Sequence, residues 1–357
     1  MGRQNAHREF SSGDSMRVLI HDLRSDDEGV ASTVGTIMAL LVFLTFLSLI
    51  VNQYVPVWMK DSEASHMNVA LGQFGGLKGS VDLQILAAQT AQVAGSHYIP
   101  VTAASAVTLG VDGVPIFASP SLGTLTSAPE SGPFTVEFDY MIQGLSGSAV
   151  RTHVREQSNG TVDLFVANRY FVPQRVAYVN GAVIRYQSDG QIIRAQPTFG
   201  AARTNNTLEV TFGLVSLYGQ GTIVGTSTEV VNAQVFAVDR QDYGGTAGET
   251  FPADARIWIN HTSRYGLAWY KYFNSTLAAS LGLNGVYTRN PLDETFEGRI
   301  GGTTIYRVST SFVSSTQVYV TRLEIRNNPG LLALSVFRLQ LAQVQIGVGE
   351  SATDIRF

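Results

Sequence analysis

Cysteine is absent from the 357 residues. Its absence excludes disulfides, thiolate zinc sites, iron–sulfur clusters and a cysteine nucleophile. Charge is also scarce. Asp, Glu, Lys and Arg make up 15% of the chain, against about 25% in ordinary soluble domains. Only three lysines stand beside 21 arginines, the net charge is −4, and the arginines alternate with apolar positions instead of forming a basic stripe. No nucleic-acid partner is expected from that pattern.

Recognisable catalytic motifs are missing as well. The six histidines, His7, His21, His66, His97, His153 and His261, show no HExxH or other close ligand spacing, so no metal site is expected. His153 and His261 fall at the edges of predicted strands, where a solvent-exposed histidine is the simple reading. Gly144–Ser148 approaches a nucleophile elbow but lacks its last glycine, and it reads as a flexible turn. There is no Walker loop, and Gly219, Gly221 and Gly225 are spaced one position too late for a dinucleotide fingerprint. Asp239 with Asp242, and Asp293 with Glu294, lack the alternating carboxylates of a calcium loop and read as solvated turns. No catalytic residue, cofactor or enzymatic activity is expected.

Apolar residues are abundant, at 45%, and they are unevenly placed. From Val30 to Met59 no side chain is charged, and Val30–Val51 is a 22-residue apolar run. As a helix it spans about 33 Å, enough for a hydrocarbon core of about 30 Å. Ser32, Thr33, Thr36, Thr45 and Ser48 interrupt it with hydroxyls that can bond back to the helix's own carbonyls. Tyr54 and Trp58 follow at the place of an interfacial aromatic belt, before Lys60 and Asp61. The run predicts a single membrane-spanning helix with lipid as its partner. Arg3, Arg8, Arg17 and Arg24 precede it, whereas only Lys60 and Lys78 follow soon after. The positive-inside rule places residues 1–29 in the cytoplasm and the remainder outside the cell.

The segment Glu28-Gly-Val-Ala-Ser-Thr-Val-Gly35, continued by IMALLVFL and then NQYVPVWMKD, resembles the N-terminus of archaeal type IV pilin-like surface proteins with a class III signal peptide. The likeness covers about residues 25–90. It implies cleavage between Gly29 and Val30, followed by packing of the freed helix into a filament or pseudopilus. Val30, Gly35, Leu40, Phe43, Leu47 and Val51 would then form the membrane and assembly surface, with Gly35 allowing close approach of helices. Glu28 stands where that family usually carries Lys or Arg. The alternatives are an uncleaved, signal-anchored binding protein or adhesin, and a membrane-tethered hydrolase with a site dispersed over loops.

Beyond the membrane run, Ala70, Phe74, Leu77, Val81 and Ile85 recur at helical spacing. They predict a juxtamembrane amphipathic helix over 52–90, kinked near Pro56 and weakened by Gly72, Gly75, Gly76 and Gly79. Its stripe is expected to dock on its own body.

From 91 to 357 the pattern is that of a mainly β ectodomain, an antiparallel sandwich with a possible lobe boundary near 200 or, equally, strand exchange across that point into one sandwich. Alternating apolar residues mark strands around 134–140 and 162–166. Asn180-Gly181 predicts a type I′ hairpin, and Ser188-Asp189-Gly190 a second turn, giving a meander of 175–179, 182–187 and 191–195. Further strands are expected at 207–218, 229–238, 255–260, 303–309, 316–326 and 332–346. One inserted helix is expected near 262–281, capped by Thr262 or Ser263 and stopped at Gly282. Asn159, Asn205, Asn260 and Asn274 head N-glycosylation sequons, all on the side expected to be exported.

Overall fold

The computed structural model describes residues 13–144, 148–290 and 293–349. The chain divides into two compact units, Met1–Trp58 and Met59–Phe357. Helical backbone begins at Gly13, ahead of the apolar run, as α1 (Gly13–Leu49). A π-helical segment, Ile50–Tyr54, follows, and then α2 (Val55–Val93). The irregularity expected at Pro56 therefore falls on the turns before it. The Val55 N–H donates to the Ile50 carbonyl, five residues back. This wider turn precedes the position where proline offers no N–H to the helix ladder.

The hydroxyls of the apolar run bond as its sequence suggests. Thr33 donates to the Val30 carbonyl at 2.9 Å, Thr36 to Thr33 at 2.8 Å and Thr45 to Leu41 at 2.8 Å. Each satisfies its polar group inside the helix.

The second unit is mainly β. Its strands are β1 (Ala103–Thr108), β2 (Gly123–Ala128), β3 (Phe134–Gln143), β4 (Ala149–Ser158), β5 (Thr161–Val166), β6 (Gln174–Val179), β7 (Ala182–Gln187), β8 (Gly190–Ala195), β9 (Phe199–Thr204), β10 (Thr207–Tyr218), β11 (Gly221–Gly225), β12 (Thr228–Tyr243), β13 (Glu249–Thr250), β14 (Arg256–Ser263), β15 (Asn284–Arg289), β16 (Asp293–Ile300), β17 (Thr303–Val313), β18 (Val318–Arg326) and β19 (Ala333–Val348), with α3 (Gly266–Leu281) inserted after β14. They make three sheets: β1-β12-β19-β10-β9; β11-β2-β5-β6-β7-β8; and β13-β3-β14-β18-β17-β16-β15, with β4 also on β3. The expected meander is β6–β7–β8, and its first turn has positive φ at both Asn180 (45°) and Gly181 (75°).

The body is mainly β in antiparallel sheets, as expected, and two details sharpen that reading. Pairing is not wholly antiparallel, because β10 and β19 run parallel. Of the two arrangements open near residue 200, strand exchange is the one observed. The segment FGAART is β9, hairpinned to β10, and strands from before and after it share sheets, as β1 does with β12 and β2 with β11.

The Ala70, Phe74, Leu77, Val81 and Ile85 stripe of α2 is buried on its own body, in a cluster with residues such as Leu164, Tyr178, Val235 and Val344. A second cluster joins α3, through Trp269, Phe273 and Leu277, to Phe134, Ile259 and Leu323. The six-stranded sheet faces both. Within β6, Val176 and Tyr178 enter the first cluster, while Ala177 and Val179 enter the second. Burial on both faces is why Val176–Ile184 has no exposed position.

Helix α3 ends as expected at Gly282, whose φ of 60° closes it in the left-handed conformation. Its start is corrected. Thr262 and Ser263 end β14, and the N-cap is Tyr265, which makes no side-chain cap bond.

Candidate functional site

The apolar helix presents its side chains outward. Val30 is 62% exposed, Leu40 56% and Phe43 61%, and Leu47 and Val51 are half-exposed. A Cβ at Gly35 would meet nothing within 4 Å. Gly29 and Val30 both lie inside the continuous α1 backbone. Tyr54 and Trp58 sit on the same side, their ring centres 6.1 Å apart and both about half-exposed. Among the described residues, one helix is thus long and apolar enough to cross a membrane.

The four sequons divide into two pairs. Asn159, between β4 and β5, is exposed, and so is Asn205 in the β9–β10 turn with φ of 55°. Asn260 is half-buried within β14 and accepts from Arg322 Nε at 2.8 Å. Asn274, on α3, is half-buried and its Oδ1 is shut from solvent without a partner among the described residues.

Glu63 is a feature that helical periodicity does not flag. It lies on the inward face of α2, fully buried. Its carboxylate accepts from three consecutive backbone N–H groups, Arg169 (2.9 Å), Tyr170 (2.8 Å) and Phe171 (2.5 Å), and from the Ser121 hydroxyl. Burial by itself raises a carboxyl pKa. The four donors outweigh it and hold Glu63 below the usual range. Nearby, His66 Nε2–H donates to the Thr108 carbonyl at 3.0 Å, and burial lowers its pKa.

A cleft of about 560 Å³ opens on the body, where the six-stranded sheet meets the β14–α3 turn. On β2 and β5 every second residue faces the α2 cluster, as Leu125, Val162 and Leu164 do. The intervening Thr124, Thr126, Thr161, Asp163 and Phe165 line the cleft. Arg175 lies with its guanidinium carbon 4.2 Å from the centre of the Phe165 ring, and its Nη1 donates to Asp163 at 3.1 Å. The Tyr265 hydroxyl donates to the other oxygen of Asp163. Burial and that carboxylate raise the Tyr265 pKa well above the ordinary value, so it remains a donor.

At the cleft wall stands a pair that resembles a hydrolytic dyad. Ser263 Oγ is 2.6 Å from His261 Nε2, and His261 Nδ1 is 3.1 Å from the Pro133 carbonyl. The pattern fits Nδ1–H donating to Pro133 while Nε2 accepts from the hydroxyl. His261 is not the solvent-exposed histidine expected. It is 1% exposed, stacked on Phe134 at 3.9 Å and 5.7 Å from Trp269. Burial lowers its pKa to about 3. A proton taken from Ser263 would create an imidazolium with no compensating carboxylate among the described residues. Ser263 Oγ also accepts from the Tyr265 N–H at 2.9 Å. The pair shapes the turn from β14 into α3.

No protein-family profile, curated protein or solved structure matches this chain.

The other expected positions are plain. His153 is exposed on β4, 2.7 Å from Asp139, and His97 is exposed. The two acidic pairs lie in strands, not turns. Asp242 on β12 meets Arg240 (3.3 Å) and Arg338 (3.2 Å), and Glu294 on β16 meets Arg289 (3.4 Å). Among the described residues no group of three His, Asp or Glu is placed to hold a metal. The central residues of Gly144–Ser148, 145–147, lie outside the described residues.

Proposed function

We propose that the chain is a non-enzymatic cell-surface protein, a pilin-like or pseudopilin-like subunit anchored and assembled through its N-terminal hydrophobic helix. The observation that carries this reading is the outward-facing apolar surface of Val30–Val51, of which the most hydrophobic window has none of its residues buried. Such a surface in water would be a severe aggregation liability. In lipid, or against identical helices, it is matched. The β-rich body is then the exported part, and residues 1–29 remain cytoplasmic until a peptidase cuts between Gly29 and Val30. Neighbouring copies would meet along Val30, Gly35, Leu40, Phe43, Leu47 and Val51.

The cleft at Arg175 supports a second reading, an uncleaved signal-anchored binding protein. Mass spectrometry of the mature protein's N-terminus separates the two. A chain starting at Val30 is the expected result, and an intact leader on the surface-exposed protein would sink the pilin-like reading.

A further inference from the structure

The cleft is a built site and not a packing defect. Its floor belongs to a sheet whose opposite face packs Leu125, Val162, Leu164, Val176 and Tyr178 into the α2 cluster, yet on this side β2 and β5 carry Thr124, Thr126, Thr161 and Asp163. Thr161 is buried there and Thr124, Thr126 and Asp163 are half-buried, so this polar surface is partly withdrawn from bulk water. Its volume of about 560 Å³ falls in the range of small-molecule sites.

The lining is preorganised around one cation. Asp163 has both oxygens engaged, one by Arg175 and one by Tyr265, and Phe165 supports the guanidinium from below. Arg175 is therefore held in a single orientation, with Nε and Nη2 unpaired among the described residues. Asp163 cancels its charge. Arg264, exposed at the rim and without an ion pair among the described residues, leaves the site with one net positive charge. The wall Thr262–Tyr265 is also the N-terminal approach to the 16-residue α3, whose dipole adds to that potential. Around these groups stand hydroxyls, and those of Thr124 and Thr262 have no protein partner among the described residues.

We propose that this cleft binds a sugar acid, a pyranose bearing one carboxylate. The carboxylate pairs with the free edge of Arg175 and with Arg264, in the planar geometry a guanidinium suits. The ring hydroxyls exchange hydrogen bonds with Thr124, Thr126 and Thr262. A small hydroxyl-free acid would satisfy the arginines but leave the threonine rows unused, and a neutral sugar would do the reverse. The residues of the cleft all belong to the second unit, so the proposal stands whether or not the leader is cut.

The test uses the full chain in lipid nanodiscs free of glycosidic detergent, titrated with glucuronate and galacturonate, with glucose, acetate and inorganic phosphate alongside. The expected result is saturable binding of a uronate with a Kd below about 1 mM, and at least tenfold weaker binding of glucose, acetate and phosphate. Arg175→Gln should weaken uronate binding at least tenfold, and Thr124→Val and Arg264→Ala severalfold each. Thr124 and Arg264 are not core residues, so these two variants decide the matter even if Arg175→Gln fails to fold. The proposal is overturned if no uronate binds, if acetate or phosphate binds as well as uronate, if glucose does, or if Thr124→Val and Arg264→Ala both leave binding unchanged.

Discussion

Glu63 illustrates what one residue can do when its neighbours in space are far away in sequence. On α2 it is a lone carboxylate within an apolar stripe, and its partners come from residues 121 and 169–171. Glu63→Gln would turn an amide N–H₂ toward backbone donors. It should cost about 3 kcal/mol of stability, the scale of stranding buried donors beside a lost charge. Chemical unfolding of the full chain would measure it, and a change under about 0.5 kcal/mol, the scale of a neutral surface substitution, would contradict the assignment. Glu297 on β16 behaves alike. Burial pushes its pKa up, but Arg299, Arg307 and Thr304 together bring it down to about 2.

Acid sensitivity follows from the same residues. His261 stays neutral in the folded state down to about 3, whereas its unfolded value is 6.5. Over that window the unfolded chain binds more protons, so the stability contributed by neutral His261 is complete above pH 6.5 and is lost as pH falls toward 3. Glu297 adds a second loss between 4.5 and about 2, and Glu63 a loss below 4.5. Unfolding midpoints should fall steadily on acidification below pH 6.5. In His261→Gln the decline between 6.5 and 4.5 should flatten; an unchanged slope would remove His261 from this role.

At the scale of elements, α2 presents two faces of opposite consequence. Phe74 is fully buried in the cluster that α2 forms with the sheets, whereas Leu83 is 69% exposed. Phe74→Ala should cost about 3–5 kcal/mol through lost burial and a residual cavity. Leu83→Ala should change stability by no more than about 0.5 kcal/mol. Thermal denaturation of both variants checks the docking direction of the helix, since reversed magnitudes would mean the opposite face is buried.

The strands show which patterns are readable in sequence. Strands with regular apolar alternation and turn residues, such as β6–β7–β8, β10 and β19, stand where alternation places them. Others carry too little apolar signal. β1 is AASAVT, β2 is GTLTSA, and β4 is AVRTHVREQS, most of whose residues are exposed. These are edge or near-edge strands recruited by hydrogen bonding to stronger neighbours, so their identity lies in the partner's sequence more than in their own. Asn180 makes the same point within a turn. Positive φ suits it to the hairpin, yet its side chain also accepts from Ser158 and Val215 and donates to Gly213. No turn rule contains that second duty.

For the whole molecule, the boundary after Trp58 separates a helix with an outward apolar surface from a body with its own two cores. Both cores are built from Met67 onward. A chain beginning at Met59 should therefore fold and remain soluble, with the near-UV circular dichroism of the full protein; aggregation or a flat near-UV spectrum would refute this. In the full chain, Leu40→Arg should weaken membrane insertion by about 2.5–3.5 kcal/mol, the cost of a cation at mid-bilayer. Carbonate extraction would detect this as a shift to the soluble fraction. If the body is exported to a compartment that glycosylates, mass should appear at Asn159 and Asn205 and not at Asn260 or Asn274, whose side chains are half-buried.

Local order alone determined a good deal of this protein. The 22-residue apolar run, the helical stripe at Ala70–Ile85, the Asn180-Gly181 hairpin and the Gly282 stop are each set by residues within a turn or two of one another. Only the tertiary structure decided the rest. It joined β10 to β19 in parallel across more than a hundred residues. It carried strands past residue 200 instead of dividing there, enclosed His261 between aromatic rings, and gathered Asp163, Arg175 and Arg264 around one cleft. Periodicity records which face of an element is apolar. It holds no record of which distant face will cover it, and the polar groups of the cleft converge only after that choice is made.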